Sequence, residues 1–165
     1  PGIAILVARD NVVLYRKGFG YAEIEKSIRV TPETKFRIGS VTKQFTAAAI
    51  LLLEQQGKLS LNDDVHTYIP ELPDYGFAIT LRHMMKHTSG LKDWGSVAAI
   101  TGWPRSSKTY NNTDALQIIS RQKSLNHQPG EEYIYSNSNY NLFAIIVERV
   151  SGKSLADFTR EYTAQ

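Results

Sequence analysis

The sequence feature that most constrains the fold is a long apolar segment between Ser40 and Gly57. Residues 47–53 read Ala-Ala-Ala-Ile-Leu-Leu-Leu, and these residue types favour a helix. A serine suits the start of such a helix, and a glycine suits the position just after its last turn. Because apolar side chains occupy most of its circumference, we expect this helix to lie in the centre of the fold.

Composition limits the kind of protein to which such a helix can belong. The chain has 165 residues, of which 42% are hydrophobic and 21% are charged, and this is typical of folded domains rather than disordered or collagen-like chains. The net charge of +3 is too small and too scattered to predict nucleic-acid binding. No apolar run reaches the roughly 18 residues of a membrane helix. Cysteine is absent, which excludes disulfides, thiolate zinc sites and cysteine nucleophiles.

The first residues of the chain predict a β-hairpin. Residues 3–8 and 12–15 are two β-rich apolar runs, and Asp10-Asn11 lies between them, as expected for a tight turn between antiparallel strands. We expect Gly18-Phe19-Gly20 to form a bend at the end of the second strand, since the third glycine of a dinucleotide-binding loop is missing.

The remainder of the chain is predicted to be mainly helical, which makes the fold class α+β. Each expected helix begins at a capping side chain or ends near a glycine or proline. These helices are expected at about residues 64–69, 80–87, 112–123, 139–150 and from 154 onward. Residues 90–112 show few periodic signals and are predicted to form a loop, whose Trp94, Trp103 and Tyr110 either line an apolar subsite or pack the loop onto the body.

The sharpest chemical signal is Ser40-Val41-Thr42-Lys43 at the start of the apolar helix. Free backbone N–H groups and the helix dipole at this end favour negative charge on the serine oxygen. Lys43 lies three residues further on and therefore on the same face as Ser40. Its ammonium can stabilise an alkoxide or, with a lowered pKa, accept the proton itself. The alternative is an N-capping serine beside a solvated lysine, and Ser-x-x-Lys alone does not decide between the two.

A second signal is Tyr135-Ser136-Asn137, at the predicted junction of an extended segment and a helix. A tyrosine there can present its phenol across a cleft, and Asn137 offers both a donor and an acceptor. Since a phenol has a pKa of about 10, it acts as a base near neutral pH only beside a cation, and Lys43 is the candidate. The structural alternative is a half-buried tyrosine followed by a capping asparagine.

Two further patterns favour structural interpretations. In His87-Thr88-Ser89-Gly90-Leu91 the hydroxyl side chains can bond carbonyl groups and the glycine permits a turn, so we assign none of these residues to chemistry. His83 and His87 have the helical spacing of a zinc pair, but Met84 stands where such a motif carries glutamate. No metal or other cofactor is predicted.

Taken jointly, the segments around Ser40, His87 and Tyr135 occur in an order and spacing that resembles the serine β-lactamase and penicillin-binding-protein superfamily. The likeness is to its class C β-lactamase-like branch, which includes bacterial esterases and D-amino-acid peptidases. It implies a truncated β-lactamase/transpeptidase-like fold, with residues 1–165 forming a partial domain. Its parts would be sheet strands and connection over 1–39, a central nucleophile helix over 40–57, a helical region over 58–152 and the start of a truncated helix over 153–165.

The resemblance also implies a function and a role for each site residue. Ser40 would be the nucleophile, acylated by an amide or ester such as a β-lactam, a D-amino-acid peptide or a carboxylic ester. Lys43 would be its electrostatic partner or base, and Tyr135 would carry protons to the leaving group. Asn137 would orient Lys43 and the substrate. One oxyanion donor would be the backbone N–H of Ser40.

One departure from the family pattern bears on activity. The family carries a third motif, Lys/His-Thr/Ser-Gly, on a later strand, whereas Lys108-Thr109 here precedes Tyr135. We therefore expect this chain to be part of a larger protein, to have little or no activity alone, and to need its C-terminal part or a complementing chain. A non-catalytic penicillin-binding or sensing module and a folding fragment are the alternatives. The resemblance further implies a periplasmic or secreted protein with no nucleic-acid partner.

Overall fold

The structure is a computed structural model that describes residues 1–104 and 107–163, without the Thr163 side chain. The chain divides into two compact units, Pro1–Gly39 and Ser40–Gln165. Each unit is described by itself.

The first unit is a three-stranded antiparallel sheet. Its strands are β1 (Gly2–Arg9), β2 (Val12–Glu23) and β3 (Ile28–Arg29), in the order β1-β2-β3. Asp10 and Asn11 join β1 to β2 with φ angles of 51° and 61°, a left-handed geometry that short polar side chains tolerate in two-residue hairpins. The predicted hairpin is confirmed, and β3 adds a strand that was not predicted.

The predicted bend at Gly18-Phe19-Gly20 is wrong, because β2 continues through these residues to Glu23. Close packing within this unit requires a glycine at position 18. A Cβ atom on Gly18 would lie 2.3 Å from the carbonyl oxygen of Val30, so only a residue without a side chain lets the two segments approach.

The regular secondary structure of the second unit is helical in its described part, with turns and irregular segments between the helices. A 3₁₀ turn over Gly39–Val41 leads into the first helix, and another 3₁₀ turn covers Val65–Thr67. The α-helices are α1 (Thr42–Gln55), α2 (Leu81–Met85), α3 (Trp94–Ile100), α4 (Asn112–Ser120), α5 (Asn137–Ser151) and α6 (Leu155–Thr163). The last two residues of the predicted segment 153–165 lie outside the described residues. The strands and helices together confirm the α+β class.

Helix α5 lies at the core of this unit, where α1, α2, α3, α4 and α6 all contact it. Six consecutive residues of α5, Leu142 to Val147, are buried. Helix α1 packs against it with one face, which carries Thr46, Ala49, Ile50 and Leu53. Other apolar side chains of α1 are not buried, and Leu51 remains 46% exposed. Within the second unit the central helix is therefore α5, and the central position expected for α1 in the whole fold stays a prediction.

The helix boundaries follow local capping chemistry. The Asp64 carboxylate accepts from His66 N, and the Thr80 hydroxyl accepts from His83 N, which confirms both as caps. Helix α5 ends at Gly152, whose φ of 71° is the left-handed conformation that favours glycine after a helix. Among the described residues, no helix has both the length and the apolar character needed to cross a bilayer.

The predicted loop over 90–112 is wrong in its first half, where α3 forms. Residues 105 and 106 of that segment lie outside the described residues. Helix α3 has only seven residues, and its one buried side chain is that of Ala98. A helix of this length is too short to show a repeating apolar pattern. It is started by Asp93, whose carboxylate accepts from Ser96 N at 2.9 Å.

Candidate active site

Ser40 lies in the 3₁₀ turn directly before α1, and its side chain is exposed. The turn begins at Gly39, whose φ is 55°, a conformation that glycine adopts without strain. Lys43 follows in the first turn of α1 and is partly buried. Its ammonium donates to Ser40 Oγ over 3.3 Å, as the three-residue spacing predicts.

Tyr135 and Asn137 reach the Ser40 and Lys43 side chains from the segment in which α5 begins. They flank the start of α5, which packs against α1. The Tyr135 phenol oxygen lies 2.7 Å from Ser40 Oγ, and Asn137 Oδ1 accepts from Lys43 Nζ over 2.8 Å. The structure therefore brings all four predicted site residues together around one hydroxyl.

Positive charge dominates the surroundings of the Tyr135 phenol. Lys43 Nζ lies 4.9 Å from the centre of the Tyr135 ring. Hydrogen bonding to Lys43 and to Ser40 lowers the pKa of Tyr135, although burial and the charge of Asp93 oppose this shift. The Lys43 ammonium also lies 5.5 Å from the centre of the Tyr140 ring. A larger fraction of a phenol in such surroundings is ionised near neutral pH than of a free tyrosine, so the phenolate is more available to accept a proton.

Asp93 is a site residue that the sequence interpretation missed. Its Oδ2 accepts from the backbone N–H of Asn137 at 2.7 Å and from the side-chain Nδ2 of Asn137 at 3.0 Å. The residue lies within the segment predicted to be a loop, where no periodic pattern marks it. The available signal was an aspartate immediately before Trp94-Gly-Ser, a sequence that fits a helix cap followed by a first turn.

His87 also lies at the site, although the sequence interpretation gave it no chemical role. Its ring stacks on that of Tyr135, with ring centres 4.5 Å apart and planes at 28°. Its Nδ1 accepts from the backbone N–H of Ser136 at 3.2 Å, which requires the neutral ring. Burial and then the charge of Lys43 lower the pKa of His87, so the unprotonated form is favoured.

Thr88 and Gly90 have the structural parts predicted for them, whereas the Ser89 hydroxyl donates to the side chain of Asn139 over 2.6 Å and not to a helix carbonyl. The Thr88 hydroxyl donates to the carbonyl of His83 over 3.3 Å, and Gly90 has a φ of 76°. His83 Nδ1 accepts from Thr80 N over 3.3 Å, which completes the capping of α2. Among the described side chains, no group of three or more His, Cys, Asp or Glu residues is placed to hold a metal ion.

Open space lies on two sides of Asp93. One cavity of about 500 Å³ is bordered by Asp93, Asn137, Trp94 and Tyr110, and a second of about 390 Å³ reaches Tyr135. The aromatic residues of this region both pack and line the space. Trp94 Nε1 donates to Asn141 Oδ1 over 2.8 Å, and its ring centre lies 5.8 Å from that of Tyr110. Of the four predicted site residues, Asn137 borders the first cavity and Tyr135 borders the second.

Known proteins resemble this chain in sequence and in fold. The family model described as Beta-lactamase matches residues 1–165. Protein flp of Staphylococcus aureus strain N315 is 36% identical over 163 residues, which cover 96% of this chain and 32% of that protein. The octameric penicillin-binding protein homologue from Pyrococcus abyssi has a TM-score of 0.84 and 34% identity, over 98% of this chain and 37% of that one.

An enzyme is among the structural neighbours. The D-amino acid amidase from Ochrobactrum anthropi SV3 has a TM-score of 0.82 and 27% identity, over 97% of this chain and 43% of that one. The chain spans about a third of the length of the curated relatives that it matches.

Proposed function

The chain belongs to the Beta-lactamase family of serine β-lactamases and penicillin-binding proteins, and on this basis we propose that it carries the nucleophile of a serine hydrolase that forms an acyl-enzyme on Ser40. One observation carries the proposal. Ser40 Oγ lies 2.7 Å from the phenol oxygen of Tyr135 and 3.3 Å from the ammonium of Lys43. A nucleophile within hydrogen-bond reach of a base, with a cation beside both, is the arrangement that acyl transfer requires.

Lys43 and Tyr135 have different roles in this proposal. The Lys43 ammonium donates to Asn137 Oδ1 and lies near two aromatic rings, which are groups that attract a cation. Lys43 is then the electrostatic partner, and Tyr135, with its lowered pKa, is the base. Asn137 holds the ammonium in place.

The reaction follows in two stages. Tyr135, as phenolate, takes the proton of Ser40, and the serine oxygen attacks the substrate carbonyl. The tetrahedral intermediate collapses as Tyr135 gives that proton to the departing amine or alcohol, which leaves an ester on Ser40. Water then attacks this ester, with Tyr135 accepting a proton from the water and returning one to Ser40. The backbone N–H of Ser40 is one candidate donor to the oxyanion.

The substrates we propose are amides and esters: a β-lactam, a D-amino-acid peptide or a carboxylic ester. The cavities beside Asp93 offer room for the acyl portion. Assignment to the class C branch, export to the periplasm or medium, and weak or absent activity of residues 1–165 alone stay predictions.

Covalent labelling tests the proposal in the complete protein that contains this chain. The protein is incubated with a fluorescent penicillin and separately with a fluorophosphonate, and its intact mass is measured. We expect one adduct in the wild-type protein with at least one probe, and none in Ser40→Ala. Labelling that survives in Ser40→Ala, or a wild-type protein that neither probe modifies, contradicts the proposal. Turnover of a chromogenic β-lactam or ester then separates a hydrolase from a binding or sensing module, which would remain acylated.

A further inference from the structure

We propose that Asp93 is a positioning residue of this site: its carboxylate sets the orientation of the Asn137 amide, and the amide in turn holds the Lys43 ammonium beside Ser40. The inference rests on the proposed function, because it assigns Asp93 a part in acylation of the same serine.

The first support is the chain of contacts on either side of Asn137. An asparagine amide has a donor end and an acceptor end. Its Nδ2 donates to Asp93 Oδ2 over 3.0 Å, and its Oδ1 accepts from Lys43 Nζ over 2.8 Å. Turning the amide over would direct NH₂ at the ammonium and the oxygen at the carboxylate, and both contacts would be repulsive. A carboxylate on one side and an ammonium on the other therefore select a single orientation.

The second support is that the Asp93 carboxylate is fully engaged by protein donors. Oδ2 accepts from the backbone N–H and the Nδ2 of Asn137. Oδ1 accepts from the backbone N–H of Ser96 at 2.9 Å and from its hydroxyl at 3.2 Å. A carboxylate offers about four acceptor positions, so these four donors occupy them. Although Asp93 borders both cavities, it is built to hold Asn137 rather than to bind a substrate ammonium or hydroxyl.

The third support is that the backbone around Asp93 is fastened to the start of α5. Trp94 N donates to the Ser138 hydroxyl over 2.9 Å. The same hydroxyl donates to the carbonyl of Lys92 over 2.6 Å. Residues on both sides of Asp93 thus bond to the residue after Asn137, which keeps the carboxylate at a fixed distance from the amide. Such support from surrounding groups is what a catalytic constellation needs to keep its geometry.

The test must separate this role from the capping of α3, which the same carboxylate provides. Asp93→Ser keeps an oxygen suited to cap α3 but offers a single, shorter side-chain acceptor for Asn137. Ser96→Ala is the matched control, because it removes a donor from Oδ1 and leaves both Asn137 contacts in place. Both variants are made in the complete protein, and the rate constant for acylation of Ser40 by a fluorescent penicillin, or for its phosphonylation by a fluorophosphonate, is measured together with the thermal unfolding midpoint.

We expect Asp93→Ser to slow acylation by about tenfold or more, because the Asn137 amide is then no longer held in the orientation that fixes the Lys43 ammonium. Its unfolding midpoint should stay near that of the wild-type protein, and Ser96→Ala should acylate at nearly the wild-type rate. Asp93→Asn keeps the side-chain shape and one acceptor oxygen, so it should lose less than the serine variant. It replaces that variant if the serine substitution prevents folding.

A double-mutant cycle gives the decisive readout. If Asp93 acts through Asn137, adding Asp93→Ser to Asn137→Ala should slow acylation no further, whereas independent structural effects would multiply. An unchanged rate in the folded Asp93 variant, or losses that multiply, overturns the inference and leaves the proposed function standing. A wild-type protein that is not acylated on Ser40 overturns both.

Discussion

The hydroxyl of Ser40 and the phenol of Tyr135 lie 2.7 Å apart, although 95 positions separate them in the chain. Ser40 precedes α1, Tyr135 precedes α5, and these two helices pack together through the core of the helical unit. The hydrophobic packing of α1 on α5 therefore sets the distance on which the proposed chemistry depends.

Removing the phenol oxygen tests its role as the base. We expect Tyr135→Phe to lower the rate of Ser40 acylation by about 10²–10⁴-fold, the usual contribution of a positioned general base. Stability should change little, because Tyr135 is 42% exposed. Labelling kinetics and a thermal melt in the complete protein give the two numbers, and wild-type labelling in Tyr135→Phe would exclude the phenol as the base.

The pH dependence of acylation should report the same phenol. Lys43 and Ser40 lower the pKa of Tyr135, so acylation should rise with pH and level off below the pKa of an ordinary tyrosine. In Lys43→Gln the loss of the ammonium raises that pKa, and the rising limb should move to higher pH. A limb that stays in place, measured over the range in which both proteins remain folded, would show that Lys43 does not tune the phenol.

His66, in the 3₁₀ turn over Val65–Thr67, should make stability depend on pH. Burial alone would lower the pKa of His66, but hydrogen bonds to the Pro73 carbonyl and to Asp64, with the charges of Asp64 and Asp74, outweigh it and the pKa is raised. The folded state thus binds the proton more tightly, and this contribution is complete below the unfolded pKa of about 6.5 and lost as pH rises through the folded pKa.

Chemical unfolding at several pH values checks this expectation. The free energy of unfolding should fall as pH rises through the window above about pH 6.5, and the fall should be smaller in His66→Gln. His83 and His87 have lowered pKa values, so their opposite effect acts below that window and does not mask it. An equal fall in the variant would assign the dependence to another group.

The account of the core predicts a large cost for truncating a side chain in α5. Phe143 is 0% exposed, and Phe143→Ala should lower the free energy of unfolding by about 3–5 kcal/mol. Ile100→Ala is the control, because Ile100 is 87% exposed and its change should stay within about 0.5 kcal/mol. Equal costs for the two substitutions, measured by denaturant unfolding, would contradict the placement of α5.

Contacts between residues close together in the chain were predictable from the sequence. Contacts between residues far apart in the chain were less predictable. Helical spacing alone predicted that Lys43 lies on the same face as Ser40, although it left a solvated lysine as an alternative. Only the family resemblance predicted that Tyr135 and Asn137 lie beside the same hydroxyl. The residue types by themselves also fitted a half-buried tyrosine followed by a capping asparagine. Apolar side chains around most of its circumference predicted a central position for α1. Such a pattern describes the helix itself and does not show which segments cover it.

Asp93 and His87 show what sequence patterns leave out. Asp93 begins a helix of seven residues, which is too short to produce a periodic signal, and its bonds to Asn137 depend on how α3 and α5 meet. The stacking of His87 on Tyr135 likewise joins two segments that are distant in sequence. Both residues act on the site through tertiary contacts, and single-sequence reasoning does not supply those.

The most direct test of the central claim is peptide mapping of the complete protein after reaction with a penicillin or a fluorophosphonate. Trypsin cleaves after Arg37 and Lys43 and so releases residues 38–43, in which Ser40 is one of two hydroxyl residues. The account predicts the mass of the penicilloyl or phosphonyl group on this peptide, with fragmentation locating it on Ser40. An adduct confined to any other residue, or a protein that neither probe modifies, would contradict it.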